Sequence, residues 1–155
     1  MSLWQTWLWT AQQKHESIEQ KEKQMATTIA ELVQMKVNYE NTVKAEGKRL
    51  LAESFKDFFA KYPEVKAIQW SQYTPYFNDG EECRFSVHGD YPKLRIKDGE
   101  LDEEPYPKDD TSPLFDAAAE LIGDAPEDVM RFVFGDHAEI TATVDGFDVE
   151  RADHD

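Results

Sequence analysis

From Trp4 to Leu50 the chain has no proline, and apolar residues recur at alternating spacings of three and four. Residues seven apart read Trp4, Ala11, Ile18, Met25, Leu32 and Tyr39, all apolar. The interleaved series reads Leu8, His15, Glu22, Ile29, Lys36, Val43 and Leu50. Such a stripe predicts a coiled coil, because helices wound to 3.5 residues per turn keep it in contact. His15, Glu22 and Lys36 interrupt the seam, and polar seam residues trade stability for a defined register. A straight helix from Trp4 to Glu46 would be roughly 65 Å long at 1.5 Å per residue. It would have no room to bury its stripe within one copy, so it pairs with a second copy or folds into a hairpin. Gly47 predicts a break. A second amphipathic helix follows over Lys48–Tyr62, with Leu50, Leu51, Ala52, Phe55, Phe58 and Phe59 as its apolar face and Pro63 as its stop.

Beyond Pro63 the period shifts from helical to alternating. Val65–Gln72 reads as a strand, and so does Cys83–His88, where Cys83, Phe85 and Val87 alternate with Arg84, Ser86 and His88. Lys93–Lys97 continues as a strand. Asp98-Gly99 predicts a turn, with Leu101 opening a short return. Glu100–Thr111 is acidic and carries Pro105 and Pro107, so it reads as a loop. Pro113–Ile122 is helical, with Thr111 or Ser112 as cap and Gly123 at the stop. Pro126–Phe134 is a second short helix. Ala138–Val144 and Phe147–Val149 flank Asp145-Gly146, the strongest hairpin signal in the chain. The fold class is therefore α+β: a long N-terminal coiled-coil helix, then a small antiparallel sheet packed with two or three short helices. The predicted domains are an oligomerisation arm over 1–47 and a body over 48–155. The arm's contact residues are Trp4, Leu8, Ala11, Ile18, Met25, Ile29, Leu32, Tyr39 and Val43.

Charge sharpens that division. Up to Tyr62 there are nine Lys and Arg against eight Asp and Glu; from Pro63 on there are eight against 24. A near-neutral arm is thus joined to a strongly acidic body. The body repels nucleic acid and anionic membrane and attracts basic surfaces. Acidity also serves plain solubility. Its densest loop, with Glu100, Asp102, Glu103, Glu104, Asp109 and Asp110, reads either as a docking surface for a basic partner or as a solvated run.

Trp70-Ser71-Gln72-Tyr73-Thr74-Pro75-Tyr76-Phe77-Asn78-Asp79-Gly80 is unusually aromatic for a connection between strands. Trp70, Gln72, Tyr73, Tyr76, Asn78, Asp79 and Arg84 are the candidate partner- or ligand-binding residues, since rings beside amides can stack on a base or anchor a protein. The alternative is a loop folded under the sheet as core. This stretch, with Cys83-Arg84-Phe85-Ser86-Val87 after it and the Asp145-Gly146 hairpin ending Asp153-His154-Asp155, resembles a group of small uncharacterised phage and bacterial proteins. The resemblance implies a setting, that of a phage or mobile-element accessory protein, and no particular mechanism.

No catalytic signature is present: there is no phosphate-cradling glycine loop, no nucleophile elbow and no HExxH. Asp136-His137 and Asp153-His154-Asp155 lack ligand spacing, so no metal and no cofactor is expected. Cys83 falls on the apolar side of a predicted strand and reads as a buried, inert thiol. A single cysteine suits a reducing cytoplasm, and no apolar run reaches the roughly 18 residues that span a bilayer. Trp4, Trp7 and Trp9 suit a helix contact in an oligomer or a membrane interface; the segment lacks the basic flank and cleavage site of a signal peptide. The expected function is non-enzymatic. A homo-oligomer would present an acidic body to a basic host protein, with no direct nucleic-acid binding and no membrane. The alternative is a protein that binds or sequesters a nucleotide-like ligand on the loop 70–79. For that ligand the body offers Lys66, Arg84, Lys93, Arg95, Lys97, Lys108, Arg131 and Arg151, of which Arg84, Lys93 and Arg95 lie close in sequence and could cluster.

Overall fold

The computed structural model describes Thr10, Gln12, Gln13 and residues 28–77 and 79–153. The elements are α1 (Ile29–Lys61), β1 (Val65–Tyr73), β2 (Ser86–Ile96), β3 (Leu101–Asp102), α2 (Ser112–Asp124), α3 (Glu127–Phe134), β4 (Ala138–Thr143) and β5 (Gly146–Arg151). The five strands form one antiparallel sheet in the order β3-β2-β1-β4-β5. The α+β class and the long helix agree with the sequence reading.

The chain divides into two compact units, Met1–Tyr39 and Glu40–Asp155. In the first, α1 opens on a reciprocal cap: the Glu31 amide donates to the Thr28 hydroxyl (3.2 Å) and the Thr28 amide donates to the Glu31 carboxylate (2.8 Å). The helix therefore begins at Ile29, and Thr28 interrupts the continuous helix expected over Trp4–Glu46. Trp4, Leu8, Ala11, Ile18 and Met25 lie outside the described residues. Ile29, Leu32 and Tyr39 are exposed, at 78%, 50% and 48%.

The second unit corrects the predicted break at Gly47. The glycine sits inside α1, where a Cβ would meet Val133 Cγ2 at 3.0 Å. It lets α1 approach α3 closely and does not end a helix. Val43, assigned to the oligomer seam, is 7% exposed and belongs to this core. Along β1 the alternation sends Ile68, Trp70 and Gln72 toward the helices and Gln69, Ser71 and Tyr73 toward the opposite face. Phe55 of α1 stacks on Trp70 (5.4 Å) and meets Phe147 edge-on (5.3 Å), while Phe134 of α3 meets both. Four aromatic side chains thus tie two helices to β1 and β5 in the preferred stacked and edge-to-face geometries. Phe58, Phe59, Leu94, Phe115, Ile122, Met130 and Ile140 complete the core.

The two strands expected over Cys83–His88 and Lys93–Lys97 are one strand, β2. Its pairing with β1 passes from Ser71↔His88 to Gln69↔Lys93, so Gly89–Pro92 bulge out opposite Trp70. Pro92 has no amide to donate, which suits a bulge. Cys83 lies before β2 in irregular chain and is partly exposed, not a buried strand residue. Gly123 lies within α2. The Thr111 side chain does not cap α2; its hydroxyl and amide both donate to Asp109. In the last hairpin Val144 and Asp145 make the turn, and Gly146, at φ 138°, opens β5.

Candidate functional site

Two regions contain the residues singled out by sequence. The first surrounds β3. β3 is only two residues long and pairs with Leu94 and Arg95 of β2. The acidic loop then folds back over the edge of the sheet and enters α2. A cavity of about 220 Å³ lies beneath it. Leu94, Ile96 and Phe115 are its apolar lining, and the acidic residues Glu100, Asp102, Glu103 and Asp109 line it as well. Thr111 donates to Asp109 through its hydroxyl and amide and holds that carboxyl below its ordinary range. Two of the six predicted acids stand apart from the cavity. Glu104 pairs with Lys108 (3.1 Å), which also reaches Asp116 (3.6 Å), and Asp110 is exposed outside the lining. The run is therefore neither wholly solvated nor wholly a site: four of its six acids line a cavity with an apolar floor.

The second region is the aromatic stretch, and the structure divides it. Trp70 and Gln72 are buried in the core, 3% and 0% exposed, and are unavailable to a surface partner. Gln72 donates both amide hydrogens, to the Met130 carbonyl (3.0 Å) and the Gly135 carbonyl (2.7 Å), and so secures the end of α3. Tyr73 stacks on His88 (centroids 4.2 Å, 20°), and Tyr76 stacks on His137 (4.8 Å, 16°). Tyr76 and Phe77 are exposed. Asn78 lies outside the described residues, and Asp79 is exposed with a φ of 39°. Arg84 is paired with Glu82 at 3.0 Å. It does not cluster with Lys93 and Arg95. Arg84 lies beyond the Tyr73 end of the β1–β2 ladder, whereas Arg95 pairs with Ala67, about 20 Å along the strand at 3.3 Å per residue.

Sequence reasoning passed over Asp136 as a weak metal candidate, yet it organises this end of the sheet. The Thr74 amide (2.7 Å) and hydroxyl (2.6 Å) and the His137 amide (2.9 Å) all donate to it, and Arg131 lies 3.4 Å away. Burial raises its pKa, and the donors from Thr74 and His137 outweigh burial, so the carboxyl titrates below its ordinary value. The signal for its role was the Gly135-Asp136-His137 turn, with positive φ at Gly135 and His137. Among the described residues no group of three His, Cys, Asp or Glu side chains is placed to hold a metal ion, and no helix is long and apolar enough to cross a membrane. No protein-family model, curated protein sequence or solved structure matches this chain.

Proposed function

We propose that this is a non-enzymatic interaction protein of the cytoplasm, phage-encoded, whose acidic body docks on a basic surface of a host protein. The arm gathers copies of the chain into an oligomer. The observation that supports this reading is the acid-rimmed cavity beside β3. Lys and Arg carry a charged head on an aliphatic stem and bury the stem against apolar surface. Ile96, partly exposed above the buried Leu94 and Phe115, offers such a surface, and Glu100, Asp102, Glu103 and Asp109 line the same cavity. A host nucleic-acid-binding or defence protein presents side chains of this kind where it meets phosphates, and the carboxylates would then stand where phosphates lie. The exposed Ile29, Leu32 and Tyr39 support assembly through the arm, because large apolar residues repeating along a helix are ordinarily covered.

The test uses a synthetic Arg- and Lys-rich peptide as probe and calorimetry as readout. The peptide binds at low ionic strength and weakens as salt shortens the screening length from roughly 30 Å at 0.01 M to 10 Å at 0.1 M. The double variant Asp102→Lys with Glu103→Lys loses the binding, while reversal of acids remote from the cavity, Asp148→Lys with Glu150→Lys, leaves most of it. Equal loss from both pairs would reduce the effect to net charge and overturn the docking site.

A further inference from the structure

The sheet face turned away from the helices stands apart from the acid-rimmed cavity. Across β2, β1 and β4 one row reads His88, Ser71, Glu139, and the next reads Lys93, Gln69, Thr141; beyond it Arg95 stands opposite Ala67. In these rows β2 and β1 contribute no carboxylate, although 24 of the residues from Pro63 on are acidic. The neighbouring acids are Glu139 on β4 and Asp90 in the bulge. His88, Lys93 and Arg95 are exposed. Lys93 and Arg95 form no ion pair with a described residue, unlike Arg49, Arg84, Lys108 and Arg131. The bulge creates the juxtaposition. By looping out Gly89–Pro92 it brings His88 and Lys93, five apart in sequence, into consecutive rows of one face.

We propose that this strip binds a small phosphorylated heteroaromatic molecule of nucleotide size. Its ring stacks on the exposed His88, whose imidazole is already held parallel to Tyr73 at 4.2 Å. Its phosphate lies at Lys93 and Arg95. The His88 and Lys93 rows are separated by about 7 Å at 3.3 Å per residue of β1, comparable to the span from a base to its 5′-phosphate. Ser71 and Gln69 lie beside them on β1, with the Gln69 amide aligned by its bond to the Thr141 hydroxyl (3.1 Å). Two cations suit one phosphate. A polymer continuing past the strip meets Glu139, Asp148 and Glu150 on β4 and β5, so the ligand is a monomer and not a nucleic acid.

The experiment titrates AMP into the whole chain and follows aromatic ring resonances by NMR, with affinity from calorimetry. Adenosine, inorganic phosphate and a single-stranded oligoadenylate are the comparison probes. AMP is expected to shift the His88 and Tyr73 rings, with adenosine and phosphate each binding about tenfold or more weakly. His88→Ala is expected to weaken AMP by about five- to a hundredfold, the range for loss of one stacking partner. Lys93→Gln with Arg95→Gln, both at exposed positions, should equalise AMP and adenosine without moving the melting temperature. Absence of ring shifts at millimolar AMP in the unaltered protein would overturn the proposal. So would tighter binding of the oligoadenylate than of AMP, or AMP affinity unchanged in both variants. None of these outcomes bears on the cavity beside β3, which the basic peptide tests separately.

Discussion

Gly89 sits where β2 passes close to α2, and replacing it with alanine tests how the two are held. A Cβ there would lie 2.2 Å from Ile122 Cγ2 and 2.9 Å from Ile122 Cβ. Carbon atoms pack favourably at about 3.5–4.0 Å. Rotating Ile122 about χ1 removes the first clash but not the second, so α2 itself must move away from the sheet. Overpacking of this kind costs about 1–3 kcal/mol, occasionally more. Gly89 does not have a positive φ, so alanine recovers about 0.4–1 kcal/mol from the stiffer unfolded chain. Gly89→Ala is therefore expected to destabilise by about 2 kcal/mol, which lowers the melting temperature by roughly 5–10 °C for a unit of this size. The assay is urea unfolding followed by circular dichroism, for the variant, for Ile122→Ala and for the double variant. Ile122→Ala alone should cost about 2–5 kcal/mol, since the side chain is 1% exposed. The double variant should cost less than the sum, by a coupling of about 0.5–3 kcal/mol. Strict additivity, or a Gly89→Ala protein as stable as the original, would refute the close packing of α2 on β2.

Asp136 predicts an acid limb. Its folded pKa lies below the ordinary 3.8, so its contribution is complete above that value and is lost as pH falls through the lower folded value. Asp136→Asn should cost about 1–2 kcal/mol near neutral pH and flatten the stability profile below about pH 4, read by thermal melts across pH. A profile of unchanged slope would count against the hub. For the arm, Ile29→Asp with Leu32→Asp should shift light-scattering mass toward a single copy, because each buried aliphatic residue on a seam contributes about 1.5–3 kcal/mol. A wild-type chain that scatters as a monomer at micromolar concentration would sink the assembly reading.

Where a period was clear, sequence anticipated structure. Alternation placed β1, β4 and β5 within a few residues, and the Leu114, Phe115, Ala118, Leu121, Ile122 stripe marked α2. The misreadings share a physical cause, in that each turned on a neighbour distant along the chain. Gly47 resembles a helix stop until Val133 is known to press against it. Gly89–Pro92 resembles a turn between strands until Trp70 is seen opposite the bulge. Trp70 and Gln72 could not be assigned to core or surface, because β1 is a central strand whose polar and aromatic residues occupy both faces. Only the placement of α1 and α3 decides which face is buried. One local signal was missed: Thr28-Ile29-Ala30-Glu31 is a capping box, and the continuity of the heptads concealed it.

The alternation of β2 beyond its bulge keeps the two candidate sites apart. Leu94 faces the helices and floors the acid-rimmed cavity, while Lys93 and Arg95 on either side of it face the opposite way. Surfaces of opposite sign are thereby separated by the thickness of one strand, with β3 pairing at Leu94 and Arg95. A slip of one residue in the β1–β2 register would turn both cations into the core and Leu94 out to water. The buried Ile68↔Leu94 pair fixes the register against that slip, since both side chains are almost fully removed from solvent. The net charge of the body therefore says little about what any one face can bind. That depends on which parity of β2 each face receives, and the register of the hydrophobic core sets it.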